Sequence, residues 1–427
     1  MTLLRLSFSS ILALAGLLAC SSPVLRAPQA ESQSSWSAQA ARFDGAGRAV
    51  RRVAVRLREQ AGVGILGRHL ASGVREVARI APLGVWILET PPHQTAANLV
   101  QVLGREQEVV WAHPTVAIRA EGLAGAPQTH GGAPAWPNDP LVSKQTHLPQ
   151  IQAFDAWPIT RGEARTPLAI LDTGIDTTHP EFTGRIHPAS RNVLDSNAPP
   201  EDDYGHGNHV AGIAAAAADN GQGVAGVAPQ APLLVVKIMD AQGRGDDATF
   251  AAGLVHAVDA GARVVSMSFG AGESSPLFEA ALKYALERDV LLVASAGNEN
   301  RENDPLKRPH LPSTFAGVVE VAAVTPDDRK ARFSNYGKTT ALCAPGVDIF
   351  ATYRLKFGGY GKFSGTSMAT PMVAALATMV RGLHPDWSAA RVREQLERTA
   401  DDLGRPGRDD LFGAGRINCA RAVGALP

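Results

Sequence analysis

Ser367 stands in "FSGTSMATPMVAAL" (Phe363–Leu376), after a glycine turn and at the start of a helix-spaced run. One reading makes it an N-cap whose oxygen accepts an orphan backbone N–H, with Pro371 in the first turn, where a missing donor costs little. The other makes it a nucleophile at the positive end of a helix. A serine hydroxyl attacks only when a base takes its proton, and histidine has a suitable pKa near neutrality. His206 in "DDYGHGNHVAG" is a candidate. An imidazole in that role needs a carboxylate to fix its tautomer, and Asp172 in "ILDTGID" supplies one. The intermediate's oxyanion needs donors, which Asn298 in "SAGNEN" and the N–H of Ser367 could provide. Each residue has a plainer reading: turn acid, loop histidine, cap. His206 and His209 are also three apart, but no carboxylate at helical spacing and no nearby cysteine completes a zinc site.

The elements that must carry these residues alternate. "PLAILD" (Pro167–Asp172) is a short continuous apolar run, suited to a strand buried on both faces. "PLLVVKIMD", "ARVVSMSFG", "VLLVASAGN" and "VVEVAAV" are further strand candidates. "NHVAGIAAAAAD", "TFAAGLVHAVDAGA" and "PLFEAALKYALERD" have helical character. The pattern implies an α/β fold, a parallel sheet with helices on both faces. Ligands bind beyond the carboxyl ends of such strands, where Asp172 and Asn298 fall.

Upstream, residues 1–20 read as a signal peptide. Arg5 gives the positive start, and "ILALAGLLA" is too short to span a bilayer. Its end, "LLAC", resembles a bacterial lipobox, which implies lipid on Cys20; a plain secretory signal is the alternative. Residues 21–49 read as a flexible linker. Residues 50–120 read as a small α+β domain in the order β-α-β-β-α-β, the split βαβ arrangement. Residues 121–137, rich in Gly and Pro, form a flexible junction, and residues 138–427 the catalytic domain. Lys+Arg and Asp+Glu both number 41, which gives no electrostatic case for nucleic acid. Three cysteines do not make a disulfide scaffold, and the spacing of Cys343 and Cys419 does not tell whether they pair.

"AILDTGID", "GHGNHVAG", "SMSFG", "ASAGNEN" and "SGTSMATP", in this order, resemble the motifs of the subtilisin-like serine proteases. The resemblance implies that Asp172 orients, His206 is the general base and acid, Ser367 attacks and Asn298 donates to the oxyanion. It implies that Ser268, Gly270 and Gly297 line the substrate cleft. It also implies that residues 50–120 are a ferredoxin-like inhibitory propeptide, removed by self-cleavage. The expected partners are protein or peptide substrates and the chain's own propeptide, with a membrane only through the lipid. The expected location is exported, as an envelope lipoprotein or a secreted protein. No cofactor is required for the chemistry. Some family members bind structural calcium at positions that here are Asp139, Glu181 and Asn220, and calcium takes oxygen ligands of this kind. Asn208, Met372 and Ala375 depart from the usual motifs, and Glu181 replaces a more frequent aspartate. Glu299, beside Asn298, could favour basic or polar residues at the cleavage site. An α/β-hydrolase esterase needs serine, acid, histidine in that order; after Ser367 the order is His384 then Asp386, which excludes it. An inactive subtilase fold used as a surface binding module is the other rival.

Overall fold

The computed structural model describes residues 48–58, 64–121 and 137–426. The expected signal peptide with Cys20, the linker up to residue 47, and residues 122–136 of the expected junction lie outside the described residues.

The first unit runs β1 (Arg48–Leu57), α1 (Gly64–Ala71), β2 (Arg75–Ile80), β3 (Val85–Glu89), α2 (Ala96–Leu103) and β4 (Val109–Ala120). Its strands pair antiparallel in the order β4-β1-β3-β2. Strand periodicity sends alternate residues of β1 to opposite faces. Val53, Val55 and Leu57 meet Leu66, Leu99 and Leu103 from α1 and α2. Ala54, on the other face, joins a second buried cluster that continues into the rest of the chain.

The second unit opens with two helical turns, α3 (His147–Gln150) and α4 (Ala153–Ala156). There follow β5 (Leu168–Asp172), β6 (Arg191–Asn192), α5 (His206–Ala215), β7 (Leu233–Lys237), β8 (Arg244–Asp246), α6 (Asp247–Asp259), β9 (Val264–Met267), β10 (Phe269–Gly270), α7 (Pro276–Leu286), β11 (Leu291–Ser295), β12 (Val319–Val324) and β13 (Thr340–Pro345). A hairpin of β14 (Ile349–Thr352) and β15 (Tyr360–Phe363) precedes α8 (Thr366–Leu383), α9 (Ala389–Arg398) and α10 (Cys419–Ala422). Among the described residues, seven strands form one parallel sheet in the order β13-β12-β11-β9-β5-β7-β6. Both faces are covered. Leu168 and Ile170 of β5 pack in the cluster that holds α5 and α8, while Ala169 and Leu171 join α6 and α7. That double burial is why the strands read as unbroken apolar runs.

Candidate active site

Asp172 closes β5, where the apolar run ends and the chain turns. Its Oδ1 accepts the backbone N–H of Thr173 and lies 2.7 Å from Nδ1 of His206. His206 is the first residue of α5. The preceding turn is tied by Asp202, a residue that motif reading missed. Asp202 accepts the N–H groups of Tyr204, Gly205 and Asn208 and the hydroxyl of Thr173. The signal for it was the acidic pair just ahead of "YGHG". The amide oxygen of Asn208 accepts the N–H of Asp176 at 2.8 Å, tying α5 to the turn after β5.

The other imidazole nitrogen of His206, Nε2, lies 2.9 Å from the carbonyl oxygen of Glu121. The carboxylate accepts from Nδ1, and a carbonyl at Nε2 can only accept, so this pair of contacts favours the protonated ring. Burial pushes His206 down and is the largest single influence. The charge and hydrogen bond of Asp172, the Glu121 carbonyl and the charge of Asp202 together outweigh it and leave the pKa raised.

Ser367 is the second residue of α8, not its cap; Gly365 holds the cap position and makes no side-chain cap bond. Pro371 lies inside the helix rather than in its first turn. It has no N–H to give the carbonyl four residues back, which is that of Ser367. Ser268 fills the gap: its Oγ donates to the Ser367 carbonyl at 3.0 Å, and its own carbonyl accepts the Ser367 hydroxyl at 3.2 Å. The hydroxyl and carbonyl of Ser268, expected to line the cleft, are thus engaged by Ser367. Asn298 follows β11, and its Oδ1 accepts both the N–H and the hydroxyl of Thr366. Its Nδ2 is buried without a partner.

β4 continues past the first unit. Its residues 117–120 lie between two strands of the second unit, pairing antiparallel with β8 through Ala117, Ile118 and Arg119 and with β10 through Arg119 and Ala120. Gly270, one of the expected cleft residues, is the partner of Arg119. The contact is reinforced at the start of α6. Asp246 takes Arg52 and Thr115, and Asp247 accepts the N–H of Val116. The residue after β4 is Glu121, whose carboxylate Oε1 lies 2.6 Å from Nε2 of His310. Gly297 abuts His310: a Cβ there would stand 2.8 Å from Nε2. Glu299 lies in the same group, but it accepts from Asn335 at 2.6 Å and pairs with Arg301.

A carboxylate–imidazole pair, a hydroxyl at a helix N-terminus, an unfilled amide donor and an extended strand that ends at the imidazole are groups suited to acyl transfer. A family model described as the subtilase family matches residues 164–415. The chain belongs to the subtilase family. It is 36% identical to thermitase of Thermoactinomyces vulgaris over 288 residues, 67% of this chain and 99% of that one. It is 37% identical to a thermophilic serine proteinase of Bacillus sp. (strain AK1) over 291 residues, 68% of this chain and 70% of that one. The fold is similar to the crystal structure of fervidolysin from Fervidobacterium pennivorans, described as a keratinolytic enzyme related to subtilisin. The TM-score is 0.75 at 24% identity, covering 91% of this chain and 62% of that one. This subtilase is a serine endopeptidase, a hydrolase of protein or peptide substrates.

The remaining residues singled out from the subtilase sequence lie as follows. His209 does not join His206 in a metal pair. It bonds the Gly361 carbonyl at 3.3 Å, packs edge-on to Phe363, and burial lowers it to about 3. Met372 and Ala375 are buried in the core around α8. Asp139, Glu181 and Asn220 do meet. Asp139 accepts the N–H groups of Asp219 and Asn220; Glu181 accepts the side-chain amide of Asn220, the N–H of Val224 and the hydroxyl of Tyr360. Burial raises Glu181 to about 7, with the charge of Asp139 adding to it. Each carboxylate oxygen keeps at most one lone pair for a cation, and the Glu181 oxygen shared by Val224 and Tyr360 keeps none. Cys343 and Cys419 are buried free thiols. No helix of the described residues is long and apolar enough to cross a membrane.

Proposed function

We propose that this subtilase is an exported endopeptidase made as a zymogen that cleaves itself, with Asp172, His206 and Ser367 as its triad and Asn298 as an oxyanion donor. The observation that carries this is the carbonyl of Glu121, 2.9 Å from Nε2 of His206 at the end of a strand paired into the cleft. In the reaction, Ser367 Oγ attacks a substrate carbonyl carbon and its proton passes to Nε2 of His206. Asp172 holds Nδ1 and stabilises the imidazolium. The oxyanion takes Nδ2 of Asn298 and the N–H of Ser367. The C–N bond breaks as His206 returns the proton to the leaving amine. Water then attacks the acyl-enzyme, giving one proton to His206, and Ser367 leaves with that proton restored. After cleavage, a strand that stays paired in the cleft keeps the end of Glu121 over His206, so the bound first unit also inhibits.

Finer parts of the reading are structural calcium at Asp139, Glu181 and Asn220, and lipid on Cys20. Support for calcium is the meeting of two acids and an amide; support for lipid is the sequence "LLAC". The mass of the mature N-terminus decides between lipid and plain secretion. The triad is tested with a fluorophosphonate: covalent label on Ser367 supports it, and a native protein that takes none supports the binding module.

A further inference from the structure

Around Glu121, four residues from scattered parts of the chain, His310, Ser295, Ser313 and Glu320, make a polar site. Its Oε1 meets Nε2 of His310 at 2.6 Å, and its Oε2 is 3.5 Å from the hydroxyl of Ser295. Behind His310, Nδ1 is 3.3 Å from the hydroxyl of Ser313, which in turn reaches the His310 carbonyl at 2.9 Å and a carboxylate oxygen of Glu320 at 3.2 Å. Nε2 faces a carboxylate and donates to it, and the acids around this buried ring leave its pKa raised, so the proton-bearing edge of His310 is aimed at the side chain of Glu121. Glycines leave the space. A Cβ on Gly270 would stand 2.2 Å from Glu121 Oε1 and 2.4 Å from His310 Nε2.

We infer that this pocket selects glutamate at the residue whose carbonyl is attacked, that His310 is the specificity-determining group, and that the chain matures by cleavage of the Glu121–Gly122 bond. This rests on the protease reading above and names its substrate class. The positions fit: the carbonyl of Glu121 is at His206 while its side chain meets His310, which abuts Gly297, the residue before Asn298. A metal bridging Glu121, Glu299 and His310 is not needed to hold the group together, because the 2.6 Å bond already joins two of its members directly. Glu299 adds a second carboxylate, held off by Asn335 and Arg301, and with Glu320 it helps keep His310 charged. Burial pushes His310 down most strongly, but Glu121, Glu299 and Glu320 together leave it raised above its ordinary value.

The test uses enzyme matured from the full chain and peptides ending in the Ile-Arg-Ala sequence that precedes Glu121, followed by Glu, Gln, Asp, Phe or Lys at the cleavage position. Near about pH 6, kcat/KM for Glu should exceed that for Gln and Phe by about tenfold or more, since a site built to bond a polar group rejects substrates that lack it. The ratio of Glu to Gln should shrink as the pH rises past the His310 titration. His310→Gln should collapse that ratio. Mass spectrometry of the matured chain should find Gly122 at the new N-terminus. Cleavage of Phe or Lys peptides as fast as Glu peptides would overturn the inference while leaving the protease reading intact. A native enzyme that cuts none of the peptides and takes no fluorophosphonate would overturn both. A mature N-terminus other than Gly122 would overturn the maturation site.

Discussion

Asn298 and Thr366 are joined twice: the amide oxygen of Asn298 accepts the backbone N–H of Thr366 at 2.9 Å and its hydroxyl at 3.1 Å. Both donors fix the oxygen end, so the amide must turn Nδ2 away from Thr366, where it is buried with no partner. A buried donor left unmade is costly unless something arrives to accept it, and a developing oxyanion is such an acceptor. Asn298→Ala should leave the fold intact and lower kcat by about 10²–10³, the loss seen when one oxyanion donor is removed. An unchanged kcat on a peptide substrate would remove Asn298 from that role.

Ser367→Ala separates the two readings of this serine. A cap would cost about 0.5–2 kcal/mol and leave processing untouched. The nucleophile, once removed, should leave a native protein that stays uncut between its two units. A gel after incubation, with an unfolding curve for nativity, reads the difference. Self-maturation of a native Ser367→Ala protein would exclude the assignment.

What could be read in advance depended on how local the cause was. "LAILD" and "LLVAS" are buried on both faces and show it as unbroken apolar runs. The expected helix at "TFAAGLVHAVDAGA" begins two residues earlier, at Asp247, because Asp246 and Thr249 form a capping box there. Asp172, His206, Asn298 and Ser367 stood out through their motifs, although it is the fold that brings Asp172 to His206 and Asn298 to the start of α8. Glu121 and His310 did not stand out. They are 189 residues apart, and each is an ordinary loop residue until β4 is laid between β8 and β10. Ser268 was placed in the cleft by analogy of sequence. Its actual partner follows from Pro371, which leaves the Ser367 carbonyl without a helical donor.

If calcium binds Asp139, Glu181 and Asn220 in the native state only, it should stabilise that state by about 2.7 kcal/mol at a hundredfold excess over Kd and so raise the melting temperature. The measurement is a melting curve with chelator and one with added calcium. Coincident curves would mean that the N–H and O–H donors around these acids are sufficient without an ion.

Release of the cleaved first unit should be easier at high pH. Three groups at the junction are protonated more readily in the bound state. His206 faces Asp172, Asp202 and the Glu121 carbonyl, and its pKa is raised against the downward pull of burial. His310 faces Glu121, Glu299 and Glu320 and is also raised. Asp247 is pushed up to about 8, chiefly by burial and then by the charge of Asp246, with His113 4.0 Å away. Release removes the Glu121 charge from His310 and uncovers Asp247, moving both toward their ordinary values; His113 of β4, lowered by burial, shifts the other way, but the raised groups outnumber it, so the bound state holds more protons than the separated one. By linkage, binding then weakens as pH rises. For the histidines the window opens near the ordinary value of about 6.5 and extends to their raised values. For Asp247 it runs from about 4 toward its value in the complex. Gel filtration of the self-processed protein at about pH 6 and about pH 9 checks this. The two pieces should travel together at the lower pH and separate at the higher one, with peptidase activity rising as they part. Equal retention at both values would mean that the paired strand and its apolar face, not these protons, set the affinity.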